Sequence, residues 1–284
     1  MIPINASLSH YKRSDIQEEI IANSKNREVA ARFNDNFGKR PDILRHPGDI
    51  LELAKQGATS FHASEELWKN PLQLGPSLRK HELDNLRIGW DLVLDIDCGI
   101  FEYSKIAADI IIKALRFHNV NYISCKFSGN RGFHIGVPFE AFPEKLRGDE
   151  TKKLFPEAPR KIALYLREMI KQPLGEKIMD FEKNNFNEVI EKTGKKANDI
   201  TYFHNKAKML NAEPFLNIDT MIISSRHLYR MPYSLHEKSG LVSTPLNPDK
   251  VLLFRKEFAI PKNARISKHR FLDKSNVQED DAKR

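Results

Sequence analysis

The sequence predicts an α/β (α+β) sheet with helices on one face and the other face open, and three stretches carry that expectation. Residues Asp91 to Asp97 alternate Leu92, Leu94 and Ile96 with Asp91, Val93, Asp95 and Asp97. A period of two is a strand with one apolar and one acidic face. From Ser104 to about His118 the residues Ile106, Ile110, Ala114 and Phe117 recur at helical spacing, with Ser104 as the cap and Asn119 as the stop. Tyr122 to Ser128 alternates again, Gly129-Asn130-Arg131-Gly132 makes a hairpin turn, and Phe133, Ile135 and Val137 line the inner side of a return strand that Pro138 ends. Strand, crossover helix, strand and hairpin strand form one compact sheet, with His134 and Gly136 on its polar side.

The flanking elements are justified in order. Residues 1 to 90 read as mostly helical. Ser14-Asp15-Ile16-Gln17 is a capping box for a helix bearing Ile16, Ile20 and Ile21, and a basic segment, Lys25 to Phe33, follows. Pro47-Gly48 precedes an amphipathic helix ending near Gly57. Ser60 to Trp68 is polar and aromatic at once; Phe61 and Trp68 are assigned to the core. Residues 139–213, rich in lysine and glutamate, read as an inserted helical lobe of two or three helices without chemistry of its own. The sheet resumes at Pro214 to Asp219, a short helix capped by Ser224 or Ser225 runs to Tyr229, and Arg230 to Gly240 forms a kinked cationic stretch. An extended segment with Leu241, Val242 and Pro245 follows, and residues 268–284 read as a flexible tail. The whole chain, 1–284, is expected to be one domain.

Composition narrows the function classes. Charged residues make up 30% and hydrophobic ones 40% of the 284, a globular balance. No apolar run reaches the ~18 residues of a membrane span, and the N-terminus lacks an apolar signal region. A cytoplasmic location is expected. The net charge of +8 suits a polyanionic partner, because Lys and Arg neutralise phosphates and release counterions. Cys98 and Cys125 are too few for a disulfide framework or a cysteine-rich zinc site, and are expected to be buried, reduced thiols.

The acidic strand is the chemical centre. Asp95 and Asp97 project from one side, roughly 7 Å apart at about 3.3 Å rise per residue. Like charges that close repel unless a cation lies between them or one is protonated, and hard oxygen ligands suit Mg²⁺ or Mn²⁺. A two-metal site needs a further carboxylate, for which Asp219, at the end of its strand, is the best placed. The hairpin Ser128 to His134 offers Ser128, Asn130, Arg131 and backbone N–H groups to a phosphate, and His134 shares the carboxylates' face. Arg230, His236 and Lys238, interleaved with Pro232, Tyr233 and Leu235, suit a triphosphate. Three carboxylates, two cationic clusters and an open sheet face are what nucleotidyl transfer requires.

Asp95-Ile96-Asp97, Ser128-Gly129-Asn130-Arg131-Gly132-Phe133-His134 and Arg230 to Gly240 resemble, in order, three signatures of the archaeo-eukaryotic DNA primase small (catalytic) subunit. Asp219 matches that family's last metal-binding aspartate, and Arg27-Glu28-Val29-Ala30 resembles its basic Arg-Glu-Phe stretch with valine for the aromatic. The likeness spans roughly residues 11 to 245. It implies an RRM-like palm of the primase-polymerase superfamily and DNA-dependent synthesis of short primers from NTPs or dNTPs with Mg²⁺ or Mn²⁺. By position, Asp95, Asp97 and Asp219 would bind metal, and Ser128, Arg131, His134, Arg230, His236 and Lys238 the nucleotide's phosphates. Asn130 stands where many relatives have a second basic residue. Many relatives carry a zinc knob that Cys98 and Cys125 cannot supply, so no structural zinc is expected. The implied partners are a single-stranded DNA template, the nucleotide and a primase large subunit. The short chain after the third signature leaves a stand-alone primase-like repair polymerase as an alternative. A catalytically idle nucleic-acid binder and a metal-dependent phosphohydrolase are the competing classes.

Overall fold

Two antiparallel sheets carry the fold in the computed structural model, which describes residues 2–218, 224–275 and 277. The chain begins with helices α1 (Ile4–Tyr11) and α2 (Ser14–Ser24), then strands β1 (Val29–Phe33) and β2 (Asn36–Phe37), helix α3 (Pro47–Lys55), strands β3 (Ser60–Ser64) and β4 (Glu66–Trp68), helix α4 (Lys80–Leu86) and strand β5 (Arg87–Trp90). The palm follows: β6 (Leu92–Cys98), α5 (Phe101–Phe117), β7 (Ser124–Phe127) and β8 (Phe133–Val137). Next come β9 (Lys145–Leu146), β10 (Asp149–Glu150), α6 (Glu157–Phe181), α7 (Phe186–Thr193), and the hairpin β11 (Thr201–His204) with β12 (Ala207–Leu210). Strands β13 (Leu216–Ile218), β14 (Leu228–Arg230) and β15 (Pro245–Leu246) complete the sheets.

The palm sheet has the order β13-β6-β8-β7-β15. Its hairpin strand β8 inserts between β6 and β7, pairing antiparallel with each. Leu92, Leu94 and Ile96 of β6 and Phe133, Ile135 and Val137 of β8 are buried in one core with α5 and α6. Alternation along the strands is what directs that face at the helices. The expected helix starts earlier than Ser104: it runs from Phe101, its N-cap is Ile100, and Ser104 is buried with its hydroxyl unpartnered among the described residues. Its buried side is also broader than the expected stripe. Ala107, Ile111, Ile112 and Leu115 are covered, while Phe117 is 75% exposed. The helix is sandwiched between the sheet and α6, so one amphipathic stripe does not describe it.

The polar side of the sheet is not open along its length. A second core, built from α1–α3, β1, β3 and the segments 229–242 and 264–272, takes in Val93 of β6 and lies over that side. Gly136 of β8 makes room for it: a Cβ there would stand 2.7 Å from Leu272 Cδ2 and 2.9 Å from Phe271. The segment from Lys268, expected to hang loose, therefore packs Phe271 and Leu272 against the sheet, and Lys274 pairs with Glu140 at 2.7 Å. Residues 276 and 278–284 of that expected tail lie outside the described residues.

Three further expectations are corrected. The first 90 residues hold three strands, β1, β2 and β3, of a sheet of order β14-β3-β1-β2, as well as helices. Its strands escape the period-two signal because their polar residues are buried too: Ser60, His62 and Ser64 of β3 are all covered. The box at Ser14 does not form; Arg13 caps α2 by position without a side-chain bond, and the Asp15 carboxylate accepts from Arg13 and from Ile16 N. No helix follows Ser224 or Ser225. Arg226 is held instead by Glu66, which accepts from its backbone N–H at 2.6 Å, and by Glu28, which accepts from its guanidinium at 2.8 and 3.0 Å, and β14 pairs with β3. Phe61 and Trp68 are buried, as expected. Residues 139–213 contain α6 and α7, and α6 places Ala163, Leu166 and Ile170 in the palm's own core. No described helix is long and apolar enough to cross a membrane.

Candidate active site

Alternation along β6 puts Val93, Asp95 and Asp97 on the side away from α5, where they line a cavity of about 220 Å³. His134 of β8 completes its floor, and Ser128, Asn130 and Arg131 of the β7–β8 hairpin stand at one end. His62, Glu65 and residues 227–230 of the second sheet form the opposite wall, and His236 closes the hairpin side. Register fixes the floor: Asp95 pairs with His134, and His134 with Lys126 on β7. Asp95, Asp97, Ser128, Asn130, Arg131, His134, Arg230 and His236 are thus brought together.

One of the expected residues is not. Lys238 lines a different cavity, with Arg13, Lys262 and Arg265. Asp219 lies outside the described residues; the strand before it, β13, pairs with β6 with Ile218 opposite Ile96.

The hairpin owes its closeness to glycine. A Cβ on Gly132 would stand 2.0 Å from the carbonyl oxygen of Ile96, between the two aspartates, so only glycine lets the tip lie against β6. Ser128 N–H closes the turn on Gly132 O at 3.0 Å. On its other side Ser239 donates to the carbonyl of Gly129, tying the tip to the 236–240 loop. Arg131 makes no ion pair among the described residues.

Charge states differ from those a list of cations suggests. Burial, then the positive charge of Lys126 and Arg230, pushes the His134 pKa well down, so its imidazole is neutral. Its Nε2 lies 3.5 Å from Asp95 Oδ1, and its Nδ1 is unpartnered among the described residues. Burial and Arg230 likewise lower His236 to about 4. The His236 Nδ1 accepts from Lys238 N–H at 3.2 Å, which leaves the ring proton on Nε2 as a donor. Arg230 is charge-compensated: it donates to Glu237 at 2.7 and 3.1 Å and to Leu235 O at 2.7 Å. Burial opposes the Glu237 charge, but hydrogen bonds from His62, Arg230 and Ser60 and the Arg230 charge outweigh it and hold the carboxyl well below the usual range.

Sequence reasoning missed His62, Glu65, His227, Lys126 and Glu237. The signal for the first was available, since Ser60, His62 and Ser64 recur at a spacing of two. It also grouped Asp91 with the acidic face, yet Asp91 is structural. Arg27 pairs with it in the interior, and its Oδ1 accepts from Phe139 N–H at 2.7 Å. Arg27 and Glu28, the basic stretch of the resemblance, join the two sheets rather than facing the cavity: Arg27 also donates to Ser64 O at 2.8 Å, and Glu28 takes Arg40 and Arg226.

Two carboxylates on one strand face are donors of the kind Mg²⁺ and Mn²⁺ prefer, so the donor chemistry fits a hard divalent cation. Among the described residues, no group of three or more His, Cys, Asp or Glu side chains is close enough to hold a metal. Cys98 and Cys125 are separate buried thiols.

Comparisons with known proteins give the family and the fold. The family model for the DNA primase small subunit matches residues 95–248, from the first aspartate to just past β15. An uncharacterized protein of Methanocaldococcus jannaschii is 28% identical over 109 residues, 37% of this chain, and the match spans only 23% of that protein's length. Among solved structures, the polymerase domain of Mycobacterium tuberculosis Ligase D in complex with DNA matches with a TM-score of 0.56 and 14% identity, over 91% of this chain and 88% of that one. At that identity the likeness is one of fold.

Proposed function

Because the chain belongs to the DNA primase small subunit family, we propose that it is a template-directed nucleotidyltransferase that builds short primers on single-stranded DNA. The observation that carries this reading is the sharing of one cavity by Asp95 and Asp97 with the glycine-bounded hairpin Ser128–His134. Acids that would gather metal and groups that would take phosphates line the same cavity there.

Asp95 and Asp97, with Asp219 by its place in the sequence, would hold Mg²⁺ or Mn²⁺. Bound there, such ions supply the positive charge that acidifies an attacking 3′-hydroxyl and neutralises the reacting phosphate. The chain's own residues do the positioning. Arg131 meets the β- and γ-phosphates as a cation without a competing carboxylate, and Ser128, Asn130 and the turn's N–H groups hold their oxygens. His236 donates from Nε2 as a neutral ring. Arg230, balanced by Glu237, orients this wall and adds little net charge to it. His134 keeps Asp95 in place from the neighbouring strand. Lys238, outside the cavity, is not given a phosphate contact. In-line attack on the α-phosphate then extends the strand and releases pyrophosphate.

Incubation of the full chain with unprimed single-stranded DNA, Mn²⁺ and labelled nucleotides tests this, with and without a candidate large subunit. Labelled oligomers are the expected product, and Asp95→Ala lowers their rate by at least about a hundredfold while leaving the circular dichroism spectrum unchanged. Undiminished synthesis by that variant rules the assignment out. Template binding without product marks an idle binder, and phosphate release without chain growth a phosphohydrolase.

A further inference from the structure

A second opening leads away from the acidic strand. Asp97 lines the cavity it shares with Asp95 and also a groove of about 350 Å³, whose walls are Gly99, Lys192, Lys195 and residues 213–217. The groove runs from the end of β6 to the end of α7. From there the chain passes Lys195 and Lys196 into the β11–β12 hairpin, and residues 211–215 return it to β13, whose Asn217 pairs with Asp97. The hairpin is thus tied at its base to the acidic strand. Leu210 of β12 anchors it in the palm core, at 1% exposure.

The far end of the hairpin is unlike its base. Phe203 is 76% exposed there, and register sets it beside Lys208 on one face. Lys208 Nζ lies 4.7 Å from the centroid of the Phe186 ring, which holds the amine on that side. Asn205 and Lys206 make the turn, both in the left-handed region at φ 48° and 64°. A two-residue turn of this kind favours Asn-Gly, so a lysine in the second place costs conformational energy and leaves a charge at the tip. From Gly194 to Leu210 the chain has four lysines and one aspartate. Lys192, just before, is paired with Glu182 and Glu188 at 2.7 and 3.0 Å, but Lys195, Lys196, Lys206 and Lys208 are exposed and form no ion pair among the described residues. An aromatic ring held in water among uncompensated amines fits a single nucleic-acid strand, whose unpaired bases stack and whose phosphates take the cations. Duplex DNA keeps its bases stacked on one another and offers no such face. Protein interfaces are depleted in lysine.

We propose that the β11–β12 hairpin grips the single-stranded template beyond the site of synthesis, with Phe203 stacked on an unpaired base and Lys195, Lys196, Lys206 and Lys208 along its phosphates. This assignment rests on the nucleotidyl-transfer reading and adds a path for the template to it: past Asp97, along the groove at Lys195 and onto the hairpin. Stacking on one base corresponds to about five- to a hundredfold in dissociation constant. Each phosphate contact adds about 0.7 to the slope of log affinity against log salt.

Fluorescence anisotropy of a labelled oligothymidylate, titrated with the full chain at several salt concentrations, reads the contact without turnover. Phe203→Ala is expected to weaken binding by about five- to a hundredfold, and to leave the affinity for an abasic strand of the same length as it is in the wild type. Phe203→Trp keeps the ring: its affinity stays near that of the wild type, and its added fluorescence is quenched by the oligothymidylate and not by the abasic strand. Replacing Lys206 and Lys208 together by Gln lowers the salt slope by about 0.7 for each lysine removed. Failure of the wild type to bind the oligothymidylate overturns the assignment, as does an unchanged affinity in Phe203→Ala, an equal loss for both strands, or an unchanged salt slope in the lysine variant. Incorporation of labelled nucleotide by the wild type reports separately on the underlying reading. A wild type that holds the strand through Phe203 yet incorporates nothing overturns the nucleotidyl-transfer reading and leaves the hairpin's contact standing.

Discussion

Beneath Asp95 and His134 lies an amine that water does not reach. Lys126 is fully buried, its Nζ donates to Ser243 Oγ at 2.9 Å, and the rings of Phe271 and Tyr229 stand 5.1 and 5.8 Å away. Burial, and then the Arg230 charge, pushes its pKa well below that of a free lysine, with Asp95 pulling the other way. The unfolded chain therefore binds this proton more tightly than the folded one, so the group costs stability at neutral pH and stops costing it above the unfolded pKa of about 10.4. Lys126→Met, close in volume and without charge, is expected to raise unfolding stability by on the order of 1–2 kcal/mol at pH 7. In urea titrations the gain should shrink steadily towards pH 10.5. A gain that does not change with pH would mean that the folded and unfolded chains bind this proton equally, so that burial does not shift the amine. The sequence placed Lys126 correctly on the polar side of its strand, between Ser124 and Ser128. It did not say that this side is roofed over, because the residues that roof it, Tyr229, Ser243 and Phe271, lie more than a hundred positions away.

At the scale of the element, the β7–β8 hairpin and strand β6 act as one piece, and Gly132 is the joint. A methyl group on it meets the backbone of Ile96, which cannot swing aside as a flexible side chain can. Gly132→Ala must push the hairpin away from β6 or bend the strand between Asp95 and Asp97. A loss of about 1–3 kcal/mol is expected in denaturant titrations, together with weaker nucleotide binding as Arg131 moves off the cavity. Retention of both would show that the tip can relax freely. Here the sequence was informative. The turn signal, the alternation on either side of it and the two aspartates are local patterns, and local patterns survive in a linear reading. The second sheet left no such trace. Val29–Phe33 and Ser60–Ser64 bury their polar and charged side chains in ion pairs and hydrogen bonds instead of alternating with solvent.

Across the whole molecule, segments far apart in the chain are joined by buried histidine contacts that respond to acid. His10 donates from Nε2 to Tyr233 O at 2.8 Å across 223 residues, and burial lowers its pKa to about 4. His62, under burial and the Arg230 charge, is lowered to about 3. Both are neutral when folded at pH 7 and titrate near 6.5 when unfolded. Their contribution to stability is complete above about pH 6.5 and is lost as the pH falls towards 4, because the unfolded state then takes up protons the folded state refuses. Melting temperatures should decline over that window, and His10→Phe should flatten part of the decline. An identical acid profile in that variant would exclude His10 as a contributor.

What the sequence determined by itself is the acidic half of the palm: the alternating β6 with Asp95 and Asp97 on one face, the helix that follows, and a glycine-flanked hairpin turn. Each depends on residues within a few positions of one another, whose spacing dictates which way they point. The tertiary structure decided the rest. It placed Lys238 outside the cavity, neutralised Arg230 with Glu237, withdrew Asp91 into a pair with Arg27, and brought Glu65 and His227 to the cavity's opposite wall. Those outcomes depend on burial and on charges far apart in the chain, and neither has a period that a linear sequence can display.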